Sequence, residues 1–487
     1  MKKLISVIAT VTLLLSGSVA ANAADAYNPD TRQSQGLDAT FVIGEEGSVD
    51  TYSLLHGNKN ESGKRSQYTC KSIYDSACTG SDSFQAYSIL GICQSDTDEN
   101  CIVKLELASG SDSVYRDAKY VRSISGITYK PVPAMNFIGA ATTSLWDLPD
   151  VLSASGTSSY AVTVRVNSGT GKAGRPFNSE SVVAAVVPYR EVKGNYIDTF
   201  AETVESNHLG VRGIGIGGHD TGCAWNEVGY CGVAQDFAAG TKVRLTVRLP
   251  KELSGWYRGR LKDPIFDAKP FSKNNNLVTI GAEPAVVPRF LLTKPIAALN
   301  ETEKKIANSQ GMAGTWKDGF TTWARASEGR AFTLLENFRK EVSDTSKGVN
   351  TLWNFGTING NGNAKCLNDS SKVLGIVTTN AMVYDGGVPA YKGGFLNYQV
   401  AGLHYMPDGT ELAIGTYDMV IRSETARCLY GFSKAPLSAT VSVINDKGAK
   451  TTATTVVSEK NGWLKLAAYG FTFSKKTIKV KITKKKK

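Results

Sequence analysis

From residue 157 to residue 483 the chain keeps returning to a one-by-one alternation of apolar and polar residues, and that pattern admits few folds. In "TSSYAVTVRVNSG" (157–169), Val162, Val164 and Val166 fall on one side, with Ala161, Thr163 and Arg165 on the other. A period of two is that of a strand, whose successive side chains point to opposite faces. "VVAAVVPYREV", "TKVRLTVRLP" and "NLVTIGAEPAVVPRFLL" continue the pattern to about residue 293. It returns from about residue 350 in "VLGIVTTNAMVY", "FLNYQVAGLHYM", "LAIGTYDMVIR", "ATVSVIN", "TTATTVVS", "WLKLAAYGF" and "TIKVKIT". Turn signals such as "PDG" (407–409) and "NDKG" (445–448) lie between them. The expected fold is mostly β, with tandem antiparallel β-sandwich modules that are immunoglobulin-like in the broad sense. The antibody signature itself is missing, because no Trp lies between Cys366 and Cys428. In the last run Ile478, Val480 and Ile482 face inward and Lys479 and Lys481 outward, a pattern that on a terminal strand discourages edge pairing.

A short helical insert interrupts the strands. Asn300 followed by Glu303 predicts a capping box ahead of "TEKKIANSQG", with Gly311 as the stop. Trp316, Phe320 and Trp323 fall at helical spacing, as do Phe332, Leu335 and Val342 before Gly348. Such stripes usually pack against a sheet. The expected organisation is a leader (1–23), a disulfide-rich irregular β region (24–155) and a β-sandwich (156–293) that could form one unit with it. A helical segment (294–349), a C-terminal β-sandwich (350–483) and a lysine tail (484–487) follow.

The leader sets the compartment. "MKKLISVIATVTLLLSGSVAANA" has Lys2 and Lys3, an apolar run too short to span a bilayer, and Ala21-Asn22-Ala23 as a cleavage signal. The reading is therefore an exported protein, secreted or associated with the cell wall, without a transmembrane segment. Eight cysteines agree, because outside the cytosol an even set reads as disulfides. Cys-x7-Cys spacing occurs at Cys70/Cys78, Cys93/Cys101 and Cys223/Cys231, which leaves Cys366 with Cys428. Pairs 223–231 and 366–428 are expected, while the first four cysteines leave three connectivities open. Zinc sites need closer cysteines or interleaved histidines, and neither occurs.

Charge is concentrated at one end. The full chain carries +11, and without Lys2 and Lys3 it carries +9. Residues 451–487 hold ten lysines against one acid, Glu459, so the rest of the mature chain is neutral overall. Lys484, Lys485, Lys486 and Lys487 form a solvated tail suited to weak, salt-sensitive contact with an anionic cell-wall polymer or glycan. Nucleic acid is not expected as a partner, since base-reading elements are missing.

Motif tests leave little chemistry. Gly213–Gly218 matches G-x-G-x-x-G in letters, but no helix start follows and no cofactor is expected. His219 and Asp220 have no nucleophile motif beside them, and the four histidines stand far apart. "DTDENC" (96–101) offers oxygen ligands but lacks the glycine and glutamate of an EF-hand loop, so no metal is assigned; a looser calcium site stays open. No acidic pair stands out as a glycosidase acid and base. Two binding candidates remain. In "CAWNEVGYC", Trp225, Asn226, Glu227 and Tyr230 sit within a hairpin tip or Ω-like loop, either as a staple with Trp225 tucked in or as a presented patch. In "GWYRGRLK", Trp256, Tyr257, Arg258, Arg260 and Lys262 mix aromatic faces with cations that would suit a phosphate-rich or acidic glycan, and alternating residues in a strand explain the stretch equally well.

"ARCLYGFSKAPLSATVSV" (426–443) and "NGWLKLAAYGFTFSKKTIKVKIT" (461–483) resemble the closing module of large exported cell-envelope proteins of high-GC Gram-positive bacteria. "GRAFTLLENFRKEVSDTSKG" and "SGWYRGRLKDP" are similar to earlier parts of the same proteins. The resemblance covers roughly the C-terminal half. It implies a cell-envelope setting and brings no activity or site residues. The favoured function is a non-enzymatic binding or adhesion protein of the cell surface, and the alternative is an extracellular hydrolase of polysaccharide or wall polymer.

Overall fold

The computed structural model describes residues 38–44, 53–61, 64–76, 78, 80–110, 114–172, 174–193, 223–227, 229–308, 320–432, 437–445, 447–451 and 453–484. Among these described residues strands make up 55%, with three short helices, so the mostly β, sandwich-type fold expected from the alternation is the one observed. The strands of the N-terminal part are β1 (Leu54–Glu61), β2 (Ser83–Ile89), β3 (Cys101–Ala108), β4 (Ser159–Gly169), β5 (Asn178–Lys193), β6 (Lys242–Pro250), β7 (Gly255–Pro270) and β8 (Asn275–Pro288). Those that follow are β9 (Val349–Thr357), β10 (Val373–Thr379), β11 (Phe395–Ala401), β12 (Ile414–Arg422), β13 (Leu437–Asn445), β14 (Thr454–Lys460), β15 (Trp463–Thr472) and β16 (Lys476–Lys484).

One long sheet runs in the order β1, β2, β4, β5, β9, β7, β10, β12, β15, β14, antiparallel throughout except for the parallel pair β7/β10. A second sheet, β3–β6–β8–β7, faces its first half. A third, β11–β16–β13, faces its second half. Strand β7 serves two sheets. Residues 257–260 pair with β9, residues 261–270 pair with β8, and the register shift at Lys262/Ile265 marks where it turns from one layer to the other. Such corner strands use a bulge to switch sheets. β8 does likewise, pairing with β7 and then, through Ala285–Pro288, with β9.

Two cores follow. Val162, Val164, Val166, Val247, Leu249, Ile280 and Phe355 close the first. Leu464, Leu466, Tyr398, Val400, Val443, Ile478 and Val480 close the second. Strands between them are buried on both faces. On β10, Ile376 enters the first core while Leu374 and Val377 enter the second; on β12, Val420 and Met419 divide in the same way. Pairings therefore run across the segment limits at 293 and 350, with β9 and β10 bonded to β7.

The capping box forms as expected: the Asn300 N–H donates to Glu303 Oε2 at 2.7 Å and the Glu303 N–H to Asn300 Oδ1 at 3.0 Å, opening helix α1 (Glu301–Asn308). Helix α2 (Gly329–Phe338) buries Leu335, and Val342 is buried just past its end. Two expectations are corrected. Phe320 and Trp323 lie in a strand, Phe320–Arg325, which pairs in parallel with Asp38–Gly44, so a distant partner overrides the helical spacing; Trp316 lies outside the described residues. The last strand, β16, is no edge. It runs between β11 and β13, with Ile478, Val480 and Ile482 inward as expected. A third helix, α3 (Ser423–Tyr430), ends at Gly431 in the left-handed region (φ 70°).

Cys70–Cys78, Cys93–Cys101 and Cys366–Cys428 are disulfides, which resolves the open connectivity and matches the expected 366–428 pair. Cys231 is disulfide-bonded, while the Cys223 side chain lies outside the described residues. Because β10 closes both cores, Ile376→Ala and Leu374→Ala should each cost about 2–5 kcal/mol. Both should lower one common transition in calorimetry. If each variant shifted a different, separable transition, the two cores would be independent.

Candidate functional site

The third sheet carries an unusual charge pattern. Its strands are Val383–Tyr384, Ala390–Lys392, β11, β13, Lys450–Thr451 and β16, and together they hold six lysines and no Asp or Glu. Register decides which face each side chain takes. Leu396, Val480 and Val441 stand in one row and point into the core. The neighbouring row, Asn397, Lys479 and Ser442, therefore points out, as does Gln399, Thr477 and Ile444. Lys481 stands opposite Thr440, with its Nζ 5.7 Å from the centre of the Phe395 ring. Lys392 is paired with Phe395 and is exposed, as are Lys481 and, at the far end of the sheet, Lys447 and Lys450. Lys479 and Lys481 lie two residues apart on one strand, about 6.7 Å along its axis. Lys465 and Lys475, by contrast, pair with Asp263 and Glu336. Lys479, Lys481, Lys392, Lys447 and Lys450 make no ion pair among the described residues.

This face contains Lys479 and Lys481, which the alternation of the last strand had placed outward. It also gathers Phe395, Asn397 and Lys392, which were not singled out; the outward positions of "YKGGFLNYQ" were the available signal, and pairing with β16 is what they lacked. Lys484's side chain and Lys485, Lys486 and Lys487 lie outside the described residues.

"CAWNEVGYC" folds as a hairpin, Cys223–Glu227 against Tyr230–Ala234, with Gly229 at φ 81° in its turn. Trp225 is not presented. It is fully buried, edge-on to Tyr189 at 5.4 Å and packed with Leu145 and Ala161. A side chain at Gly232 would place its Cβ 2.0 Å from the indole nitrogen, so glycine makes room for that ring. Glu227 accepts from Arg122 Nη1 at 2.9 Å and Nη2 at 3.0 Å, and from the Ser125 N–H. Burial by itself would raise this carboxyl, and the Arg122 and Ser125 hydrogen bonds outweigh it and hold it below the usual range. Tyr230 is 40% exposed, and the Asn226 side chain lies outside the described residues. His219, Asp220 and Gly213–Gly218 also lie outside them.

The second candidate is corrected more fully. Trp256, Tyr257 and Arg260 are buried, because this half of β7 has a core on each side. Trp256 Nε1 donates to Leu367 O at 3.2 Å, Tyr257 Oη to Leu253 O at 2.7 Å, and Arg260 Nη1 to Thr379 O and Ala381 O at 3.1 and 2.5 Å. Arg260 also lies over the Tyr384 ring at 4.4 Å. These are struts between layers. Arg258 alone is half-buried, with Nη1 donating to Gly386 O at 3.1 Å.

Three carboxylates are buried among the described residues: Glu106, Glu303 and Asp418. Glu106 is held by Arg244 and Lys104, and Glu303 by Lys294. Glu303 and Glu341 share that lysine; burial, then the Glu303 bond, pushes Glu341 up. Asp418 and Asp263 share Lys465 and Tyr469. Burial pushes Asp418 up to about 7 against the opposing pull of Lys465. Neither pair presents the free acid and free base that a hydrolase requires. In the 93–101 ring, Asp98 accepts from Gln94 N, Ser95 N and Ser95 Oγ, while Arg248 donates to the Ser95 and Asp98 carbonyls. No group of His, Cys, Asp and Glu placed to hold a metal occurs among the described residues. No helix there is long and apolar enough to cross a membrane. No protein-family model matches the chain, and no curated protein matches it in sequence.

Glu106 yields a pH test. Burial would raise it, but hydrogen bonds from Arg244 and then Lys104 leave its folded pKa below the 4.5 of a free glutamate. The pairing then contributes stability above pH 4.5, and that contribution is lost as pH falls through the folded pKa. Denaturant titrations of Glu106→Gln should show lower stability at neutral pH and a shallower fall towards acid than the parent. Equal slopes would mean that the pairing contributes nothing.

Proposed function

We propose that this chain is an exported, non-enzymatic binding protein of the cell surface. Its lysine-bearing C-terminal sheet engages an anionic wall polymer or glycan. The observation that carries this reading is the third sheet: no carboxylate on its described strands, Lys392 and Lys450 exposed, and Lys479 and Lys481 held outward on its central strand. A polyanion meets positive charge there, beside Gln399 and the ring of Phe395, while the Asn397 amide is spent on the Ala390, Lys392 and Phe395 carbonyls. Three disulfides support an oxidising compartment, where such bridges persist. The resemblance of residues 426–443 and 461–483 to cell-envelope proteins supports the same setting.

The contact is electrostatic, so its strength should follow ionic strength. The Debye length is about 8 Å at physiological salt and about 3 Å at 1 M. Purified protein should bind isolated wall fractions at low salt and elute well below 1 M. Lys392→Gln, Lys479→Gln and Lys481→Gln combined should weaken binding several-fold and flatten the salt slope, and deletion of 485–487 alone should do less. Retention unchanged at high salt, or by the triple variant, would overturn the proposal.

A further inference from the structure

A different cluster, remote from the lysine face, joins the corner strand β7 to the pair β12/β15. Asp418 on β12 is paired with Ala467, and Val420 and Thr416 are paired with Lys465 and Tyr469, so these two side chains flank Asp418 on one face. β7 reaches this face at its bulge. Its second half lies against it, with Phe266 edge-on to Trp463 at 5.1 Å and Arg422 Nη2 donating to Ala268 O at 2.7 Å. Asp263, in the bulge at φ 55°, donates its N–H to Asp418 Oδ2 at 3.2 Å. Lys465 Nζ donates to Asp263 Oδ1 and to Pro264 O, the latter at 3.2 Å, and stands 3.8 Å from Asp418 Oδ1. Tyr469 donates to Asp418 and lies 3.5 Å from Asp263 Oδ1. Lys465 is 17% exposed, Asp418 is fully buried and Asp263 is 63% exposed.

We propose that Lys465 and Asp263 condense to an intramolecular amide, with Asp418 moving the proton. Asp418 takes one proton from the ammonium. The freed amine attacks Asp263 Cγ, forming the C–N bond. One Asp263 carboxylate oxygen then leaves with two protons, the one Asp418 carried and a second from the attacking nitrogen, as a single water. The C–O bond is the one broken, no charge is left over, and no co-reactant is needed. Each group suits its part. Nitrogen and carboxylate are held in contact, which replaces a bimolecular encounter by a high effective concentration. Tyr469 gives its single O–H to Asp418 and so fixes that carboxyl beside the reacting pair. The open side of Asp263 lets the water leave. The product retains one N–H, which the Pro264 carbonyl can still accept. Asp418 exchanges a proton near neutral pH, since burial raises it to about 7. The bond would close a loop of 202 residues, against 62 for the Cys366–Cys428 disulfide, and reductant would not open it.

Intact-mass spectrometry of the reduced, denatured mature chain tests this directly. The expected mass is lower than the sequence mass by one water, with a branched peptide joining the Asp263 and Lys465 segments after digestion. Asp263→Asn should reach the same product by losing ammonia instead. Asp418→Ala and Lys465→Arg should keep the full mass. A parent chain at full sequence mass, with Lys465 open to amine acylation after denaturation, overturns the proposal.

Discussion

Two-sided burial in the middle of the long sheet is the constraint on which the rest of the molecule depends. A strand that faces water on one side can tolerate polar residues at every second position. β10 cannot, because all seven of its residues are buried. It lies between β7, itself a corner strand, and β12, whose side chains also divide between two cores. Most of the polar groups brought inside are paired, since a buried unpaired group costs about 1–3 kcal/mol, although Thr378 Oγ1 on β10 has no hydrogen-bond partner. Arg260, Trp256 and Tyr257 are therefore tied to backbone carbonyls across the layers. Asn380 does the same at the end of β10, bonding Val286 O, Ile414 O and the Thr416 N–H.

This constraint explains what was legible in the sequence and what was not. Alternation marks strands, and β4, β6, β13 and β16 were legible from it as strands; for β16 the inward side, Ile478, Val480 and Ile482, was legible too. It cannot mark which sheet lies on the outer face. In "GWYRGRLK" a presented patch and a plain strand stand as equal readings, because its cover, β10 and the 379–384 segment, comes more than a hundred residues later. The same blindness to distant partners turned Phe320 and Trp323 into a helical stripe, although they sit in a strand paired in parallel with residues 39–44. Short-range chemistry was safer ground. The Asn300/Glu303 box needs only local geometry and formed as read.

The lysine face shows the same division. Outward Lys479 and Lys481 follow from the period of β16 alone. Their neighbours Phe395 and Asn397 do not, because antiparallel register between β11 and β16 joins residues some eighty positions apart, and no local pattern encodes it. The pairing also changes what the lysines are. On an edge strand they would act as gatekeepers against aggregation. On a central strand, that edge is absent and their backbone is fixed by two neighbours.

Rigidity of that kind bears on the polyanion contact proposed for this face. Ile478, Val480 and Ile482 alternate with the lysines and are nearly fully buried, so the ammonium groups stand on a backbone that cannot shift without opening the second core. In general, lysines on an unstructured segment pay backbone entropy when they grip a polyanion. Lysines rooted in a packed strand lose only side-chain freedom, so each contact retains more of its Coulomb gain. Cys366–Cys428 anchors α3 beneath this region, and Tyr430 on that helix donates to Val480 O at 3.1 Å. The covalent tie, the helix and the lysine strand thus form one support, with the charge on the side of β16 that its core-facing residues leave free.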